Sequence, residues 1–459
     1  MALRAIPVAN LVTRLETACA AFVKKSSVSV CLVSDGQRQY ARWPNSDSAE
    51  LRARDNAFHV GCLAKVFTAA LVTQAAADGH LRLDSAIDRS LGEEPGMCTS
   101  FAAITLRQLM THTHGLDGSA LTVVPRTLTG RVDLAALCAG LRSAPPLFAP
   151  GRLCSYGNAG AWLSAAVLER HYNRCYSHLL RRELFAPLGM SPAEPAPTEL
   201  PWCPAKGGTL RLSLEDLARF LLAQLSVEPQ KHGAARFSNV MPGAPHPLPG
   251  WSAVKGYAIG WKYFGDGWYG HNSTLPGESL CVRFHRARRV AIIVAACGIP
   301  AMSVLAKLFR NGRTEFEPTL RPRPAEEVIA GQPADAVVGV YGNAALTVHV
   351  TKRAPGVLAC RLMRNVSRRE PPVLVQSGTL RPRPNSVFAI DAIDRPYCQF
   401  MQFVLPDARG AFTYAWSGRE LWRRLDEVER AAGQGSKTVE SREQHVDWDA
   451  IDGLLDARC

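Results

Sequence analysis

The sequence predicts an α/β unit followed by a small antiparallel β unit, and three observations carry that expectation. Strand-like runs open and close the first 310 residues, with helical periodicities between them. A Pro/Arg-rich stretch, Glu317 to Pro324, then breaks the pattern. Beyond it, residues 335–425 hold six short apolar runs at near-regular spacing, the signature of a small barrel or sandwich. The expected divisions are 1–316, a linker at 317–334, a barrel at 335–425 and a polar tail at 426–459.

Residues 11 to 25 carry a helical period, and Val28 to Val33 reads as a strand ending at the turn Ser34-Asp35-Gly36. A helix follows from Cys62 to Asp78, with Val66, Ala69, Ala70, Thr73 and Ala77 near one face and Gly79 as its C-terminal stop. Thr105 is placed to cap a helix over 104–111. Residues 119–150 read as a partly helical insertion, and Ala159 to His171 as an apolar helix. Ser213, with Asp216 three residues on, starts a helix to Leu225. Strands are expected at Tyr257–Tyr263, Ser279–Phe284 and Val290–Ala296, then a closing helix at 301–310. In the second unit the expected strands are Ala345–Val350, Val357–Leu362, Val373–Leu380, Ser386–Ile390, Cys398–Val404 and Phe412–Trp416.

The net charge is +13, but no basic motif or aromatic-interleaved patch accompanies it, so nucleic acid is not expected as a partner. The charge, largely from arginine, fits either an arginine-rich proteome or an acidic partner such as a phosphopantetheine carrier protein or coenzyme A. No run of about eighteen apolar residues is present, so no membrane span is expected, and the N-terminus lacks the form of a secretory signal. The 13 cysteines are scattered, without CxxC pairs. That argues against a disulfide framework and a zinc site, and for a reducing, cytoplasmic setting with no cofactor.

The most informative local feature is Cys62-Leu63-Ala64-Lys65. On a helix, positions i and i+3 share a face, so the Lys65 amine can reach Cys62. Gly61 places Cys62 in the first turn, where the helix dipole favours a thiolate. A neighbouring ammonium lowers the thiol pKa further, or a neutral lysine accepts the proton.

Two further motifs follow in order: Tyr156-Gly157-Asn158, and Gly270-His271-Asn272-Ser273 between Tyr257-Ala258-Ile259-Gly260-Trp261 and Pro276-Gly277. Leu109 to Leu116, Phe185 to Met190 and Asp216 to Phe220 are landmarks between them. The combination resembles the serine β-lactamase and penicillin-binding-protein superfamily, in its class C β-lactamase, D-aminopeptidase and esterase branch, over about residues 20 to 310. The second unit resembles the lipocalin-like barrel that some members carry.

The resemblance implies an antiparallel sheet flanked by helices, a helical subdomain, and an active site between them. It assigns Cys62 to the serine nucleophile and Lys65 to the lysine that activates it. Tyr156 becomes the proton shuttle, and Asn158 holds Lys65 or the substrate amide. His271 takes the Lys/His position of the third motif, facing Tyr156. The backbone N–H groups of Cys62 and Thr274 would form the oxyanion hole, and Asn272 and Ser273 would line the substrate strand. His112 and His114 read as structural residues that turn the chain. Two departures stand out: cysteine replaces serine at position 62, and Ser273 replaces the usual glycine.

Sulfur alters the expected chemistry. A cysteine acyl-enzyme is a thioester, nearly balanced in energy with a donor thioester and reactive towards amines. The residues therefore point to acyl transfer from a carrier-protein or coenzyme A thioester, an acyltransferase or a thioesterase-like cyclase of specialised metabolism. Hydrolysis of a small-molecule ester or amide, and a non-catalytic binding protein, remain as alternatives. So does a serine enzyme of this fold whose nucleophile has been exchanged for cysteine.

Overall fold

The computed structural model describes residues 8–20, 26–44, 54–87, 91, 103–118, 131–142, 145–193, 202–205, 209–225, 254–308, 334–354, 357–365, 371–383, 387–392, 400–406, 411–416 and 421–425. Strands β1 (Ser27–Ser34) and β2 (Gln37–Trp43) form a hairpin turning on Asp35 and Gly36, with φ of 47° and 82°. Two left-handed residues in a two-residue turn match the twist of the flanking strands. β1 also pairs antiparallel with a strand from the far end of the unit, Val290–Cys297. That pairing joins both ends of the unit in one sheet, as the sequence pattern predicts.

The short ribbon β3 (Ala57–His59) and β4 (Arg211–Ser213) stands apart from the main sheet. The main sheet continues with β5 (Gly256–Tyr257), β6 (Lys262–Gly265), β7 (Trp268–Leu275), β8 (Glu278–His285) and β9 (Val290–Cys297). Its order is β2-β1-β9-β8-β7-β6-β5, antiparallel throughout. Strand alternation sorts its two faces. Val28, Val30, Leu32, Ile292 and Val294 pack under the helices Val8–Cys19 and Ala301–Leu308. Cys31, Val33, Val282 and Ile293 face the other helices, including Leu214–Leu225.

Local signals placed several boundaries well. Thr105 caps Leu106–Met110 in a full capping box with Gln108. Ser213 and Asp216 exchange backbone and side-chain bonds ahead of Leu214–Leu225. Other expectations need correction. The first helix runs Val8–Cys19 rather than 11–25. The helix after Cys62 is not one-faced: every residue from Ala64 to Ala75 is buried. A helix apolar on all sides belongs in a core, and this one is the centre of the helical region. The strand expected at Tyr257–Tyr263 is two, β5 and β6, split where Gly260 takes φ +78° and its N–H donates to Met110 O at 3.0 Å. A Cβ at Gly260 would overlap that of Ala69 on the central helix.

Strands β10 (Gly339–Gly342), β11 (Leu346–Ala354), β12 (Val357–Arg364), β13 (Val373–Arg383), β14 (Val387–Ala392), β15 (Phe400–Pro406), β16 (Phe412–Trp416) and β17 (Leu421–Arg424) form a closed antiparallel barrel. The two strands absent from the sequence reading, β10 and β17, are those that pair to close it. Val348, Leu362, Phe388, Phe403 and Trp422 fill its interior. The expected tail at 426–459 and the expected linker up to 333 lie outside the described residues. No helix among the described residues is long and apolar enough to cross a membrane.

Candidate active site

The nucleophile turn is built by ribbon β3–β4. Val60 N–H donates to Leu210 O at 3.0 Å, and the chain then bends at Gly61, φ +48°. Gly61–Leu63 forms one tight 3₁₀ turn that runs into the central helix, Ala64–Ala77. Only glycine fits at 61, because a Cβ there would overlap Ser273 Oγ and crowd Leu275. Cys62 is half-buried in this first turn, where backbone N–H groups have no partner within the helix. Its N–H donates to Ser273 Oγ at 3.2 Å.

Lys65, one turn on, is fully buried. Its Nζ donates to Ala205 O at 2.6 Å and lies 4.9 Å from the centroid of the Tyr156 ring. An ammonium buried this deeply needs such partners to offset its desolvation.

Tyr156 comes from the loop before the helix Ala159–Tyr172 and is 6% exposed. Its ring is boxed in by His112 at 4.6 Å, His271 at 5.9 Å and Tyr257 at 6.0 Å between centroids. Lys262 Nζ, from β6, lies 5.4 Å from the same ring. Asn158 is half-buried at the start of that helix, and its side chain makes no capping bond there.

The third motif lies on β7. Pairing of β6 with β7 stops at Gly270, so among the described residues His271–Leu275 has only β8 as a strand neighbour. The freed edge packs along Gly61–Leu63. His271 is buried, and its Nδ1 lies 2.8 Å from Asn272 O. A carbonyl can only accept, so Nδ1 carries the proton and Nε2 a lone pair. Burial first, then the Lys262 and Lys65 charges, hold His271 well below the ordinary histidine pKa and keep it neutral. Asn272 faces the opposite way: Arg283 Nη1 donates to its Oδ1 at 2.7 Å, with the guanidinium buried behind the strand. Ser273 is buried against Gly61 and Cys62 rather than lining an open strand edge. Thr274 is exposed.

So Lys65, Tyr156 and His271 converge, Cys62 and Ser273 meet through a hydrogen bond, and Asn272 turns its side chain to Arg283. Sequence reasoning missed three members of the cluster: His112, Tyr257 and Lys262. His112 and His114 looked alike in sequence but differ in role. His114 Nδ1 accepts from Leu116 N–H at 3.0 Å, and burial pushes its pKa down to about 4. His112 sits at φ +59° against Tyr156, its Nδ1 accepting from Gly157 N–H at 3.4 Å. A non-glycine residue in that region is uncommon and clusters at functional sites. Among the described residues no group of three or more His, Cys, Asp or Glu side chains is arranged to hold a metal ion.

A sheet joined at both ends of the first unit, a buried Lys65 one turn from Cys62, and Tyr156 beside it make a recognisable constellation. The β-lactamase family model matches residues 13–298. The chain belongs to the β-lactamase family. Penicillin-binding protein 4 of Amycolatopsis lactamdurans is 26% identical over 323 residues, 59% of this chain and 82% of that protein. The crystal structure of SurE superposes with a TM-score of 0.68 at 21% identity, over 91% of this chain and 99% of SurE. SurE solved with D-Leu gives 0.66 at 23% identity, over 91% and 98%. D-alanine carboxypeptidase AmpC from Burkholderia cenocepacia gives 0.51 at 18%, over 65% of this chain and 97% of its own. The SurE alignment spans most of this chain, whereas the carboxypeptidase covers about two thirds of it. Members of the family are hydrolases and acyl-transfer enzymes.

Proposed function

We propose that this chain is a cysteine-dependent acyl-transfer enzyme that works through a Cys62 acyl-enzyme and takes its acyl group from a carrier-protein or coenzyme A thioester. The observation that carries the reading is the buried Lys65 one helical turn below Cys62, with Tyr156 packed beside its Nζ. Cys62 sits at a helix N-terminus, which favours the thiolate. Lys65, as the neutral amine, takes the thiol proton, and Tyr156 handles the proton of the leaving group and of the second nucleophile.

Attack on the donor carbonyl forms a C–S bond to Cys62. The donor thiol leaves and takes that proton. An amine then attacks the new thioester and passes its proton to Tyr156 as Cys62 departs. An amine on the same acyl chain gives a cyclic product, an external amine a transfer product, and water an acid. Cysteine supports transfer over amide hydrolysis. A thiolate is a better leaving group than an unprotonated amine, so attack on an ordinary amide tends to revert. Neutral His271 suits a role as hydrogen-bond partner to Tyr156 or substrate rather than a second cation.

The net charge of +13 suits an acidic carrier domain as donor. That reading also places the enzyme in the cytoplasm, where such thioesters are made. SurE, solved with D-Leu, suggests including aminoacyl thioesters of D- and L-leucine among the probes.

The test is intact-protein mass spectrometry after incubation with acyl thioesters, p-nitrophenyl esters and a penicillin, with Cys62→Ala in parallel. An adduct that maps to Cys62 and is absent from the variant is expected, strongest with thioesters. No adduct from any donor, together with a Cys62 no more reactive to iodoacetamide than the buried cysteines, would reject the enzyme reading. An adduct from esters alone, released to water, would leave a hydrolase.

A further inference from the structure

Among the described residues, two hydrogen bonds join the barrel to the Tyr156 region, at two points. Asp117 is 4% exposed, and its Oδ2 accepts from Ala344 N–H at 2.7 Å. Ala344 lies in the turn between β10 and β11. Asn343 Oδ1 shapes that turn by accepting from Ala345 N–H and Leu346 N–H at 3.0 and 2.8 Å. Asn365 Nδ2 closes it from below, donating to the carbonyls of Asn343 and Ala344, both at 3.3 Å. The second point is the Tyr414 hydroxyl of β16, buried and donating to Leu147 O at 3.1 Å.

Asp117 and Leu147 belong to two segments bonded to each other along their length. Leu147 N–H donates to Gly115 O at 2.8 Å, Gly151 N–H to Thr113 O at 2.7 Å, and Ser155 N–H to His112 O at 3.0 Å. At the inner end Gly157 N–H meets His112 Nδ1. A Cβ at Gly118 would lie 3.2 Å from Asn158 N, so the residue after Asp117 already touches the Tyr-x-Asn motif. The two segments together form a strap that is bonded to the barrel at Asp117 and Leu147 and carries His112, Tyr156 and Asn158.

We infer that Asp117 and Tyr414 are positioning residues through which the C-terminal barrel holds the Tyr156 strap in register for proton transfer. The inference rests on the reading of Tyr156 as the proton carrier. A misplacement of about 1 Å in such a group costs on the order of a hundredfold in rate, so a clamp outside the catalytic cluster has kinetic weight. The prediction is specific to Tyr156, because the Cys62 turn is set by Gly61 and the Val60–Leu210 bond at the start of the central helix, not by the strap.

The test uses the full-length protein with Asp117→Ala, Tyr414→Phe, their combination, and Asp117→Asn, which keeps an acceptor for Ala344 N–H. Three readouts are taken: hydrogen exchange of residues 112–118 and 147–157, single-turnover formation and breakdown of the acyl-enzyme from a p-nitrophenyl ester, and iodoacetamide alkylation of Cys62. Losing two hydrogen bonds of about 1 kcal/mol each corresponds to about thirtyfold in rate if the whole loss reaches the proton-transfer step, and about tenfold if about two thirds does. The double variant should show faster exchange in the strap, unchanged exchange inside the barrel, at least about tenfold slower acyl-enzyme breakdown, and Cys62 alkylation as in the parent. Asp117→Asn should restore most of the Asp117→Ala loss. Unchanged exchange in the strap, or faster exchange with unchanged breakdown, would overturn the inference. If the parent protein itself forms no adduct, the acyl-enzyme reading fails separately, and exchange in the strap alone then decides whether the barrel clamps it.

Discussion

Ser273→Gly is the most direct probe of the oxyanion hole. In the resting site the Cys62 N–H already donates to Ser273 Oγ at 3.2 Å. A carbonyl oxygen that uses this N–H must displace the hydroxyl, which then has to find a new partner in a buried position. A neutral bond of this kind contributes about 1 kcal/mol net, equivalent to about fivefold in rate. Ser273→Gly should therefore speed acylation by about that factor, or more if relief beside Gly61 lets the acyl group seat more deeply. Ser273 is only 3% exposed, so losing its side chain also leaves a small void costing on the order of 1 kcal/mol of stability. The assay is the p-nitrophenol burst from an activated ester, with the Cys62 adduct quantified by mass and folding checked by thermal melting. Penicillin serves as a second acyl donor, since its carbonyl would need the same Cys62 N–H that Ser273 Oγ now holds. A fall in acylation rate would refute the argument, because it would mean that the Ser273 hydroxyl donates to the oxyanion instead of blocking its donor.

Three further outcomes follow from the same geometry. Lys65→Met should reduce acyl-enzyme formation by roughly a hundredfold or more and shift Cys62 alkylation to higher pH; an unchanged pH profile would remove Lys65 from thiol activation. Burial pushes His114 from 6.5 down to about 4, so as pH falls the unfolded chain takes up this proton first and stability is lost between those values, by up to about 3 kcal/mol. His114→Gln does not titrate, and its denaturant midpoint should depend less steeply on pH across that window; equal slopes would show that His114 is not a source of acid sensitivity. Gly260→Ala places a side chain at φ +78° against Ala69 and should cost about 2–4 kcal/mol, read as a lower melting temperature, with a parent-like melt counting against the close approach.

Much of the architecture was readable from local pattern, because the forces behind it are local. The capping box at Thr105 and the Ser213–Asp216 cap involve partners three residues apart. The turn at Asp35-Gly36 needs only two residues able to adopt positive φ. Strands with unbroken apolar runs, such as Val290–Cys297, announced themselves through composition. β7 did not, because Trp268–Leu275 is mixed and polar, being lined by the site on one face and by Arg283 on the other. The split of β5 from β6 was equally hidden, since it depends on how closely Gly260 approaches a helix almost two hundred residues earlier.

By itself the sequence determined the Cys62-x-x-Lys65 frame, for spacing on one helix sets which side chains share a face. It likewise determined the order of the three motifs and the presence of two structural units. Only the tertiary structure decided that Ser273 would cover the Cys62 N–H, that His112 and not His114 would join Tyr156, and that Lys262 would become a second cation beside that ring. It also decided that β10 and β17, too short to stand out, would close the barrel, and that the barrel would grip Asp117 and Leu147. The physical reason is common to all of these. Each contact joins residues far apart in the chain, and its geometry is set by the packing of whole elements rather than by the preferences of the few residues that touch.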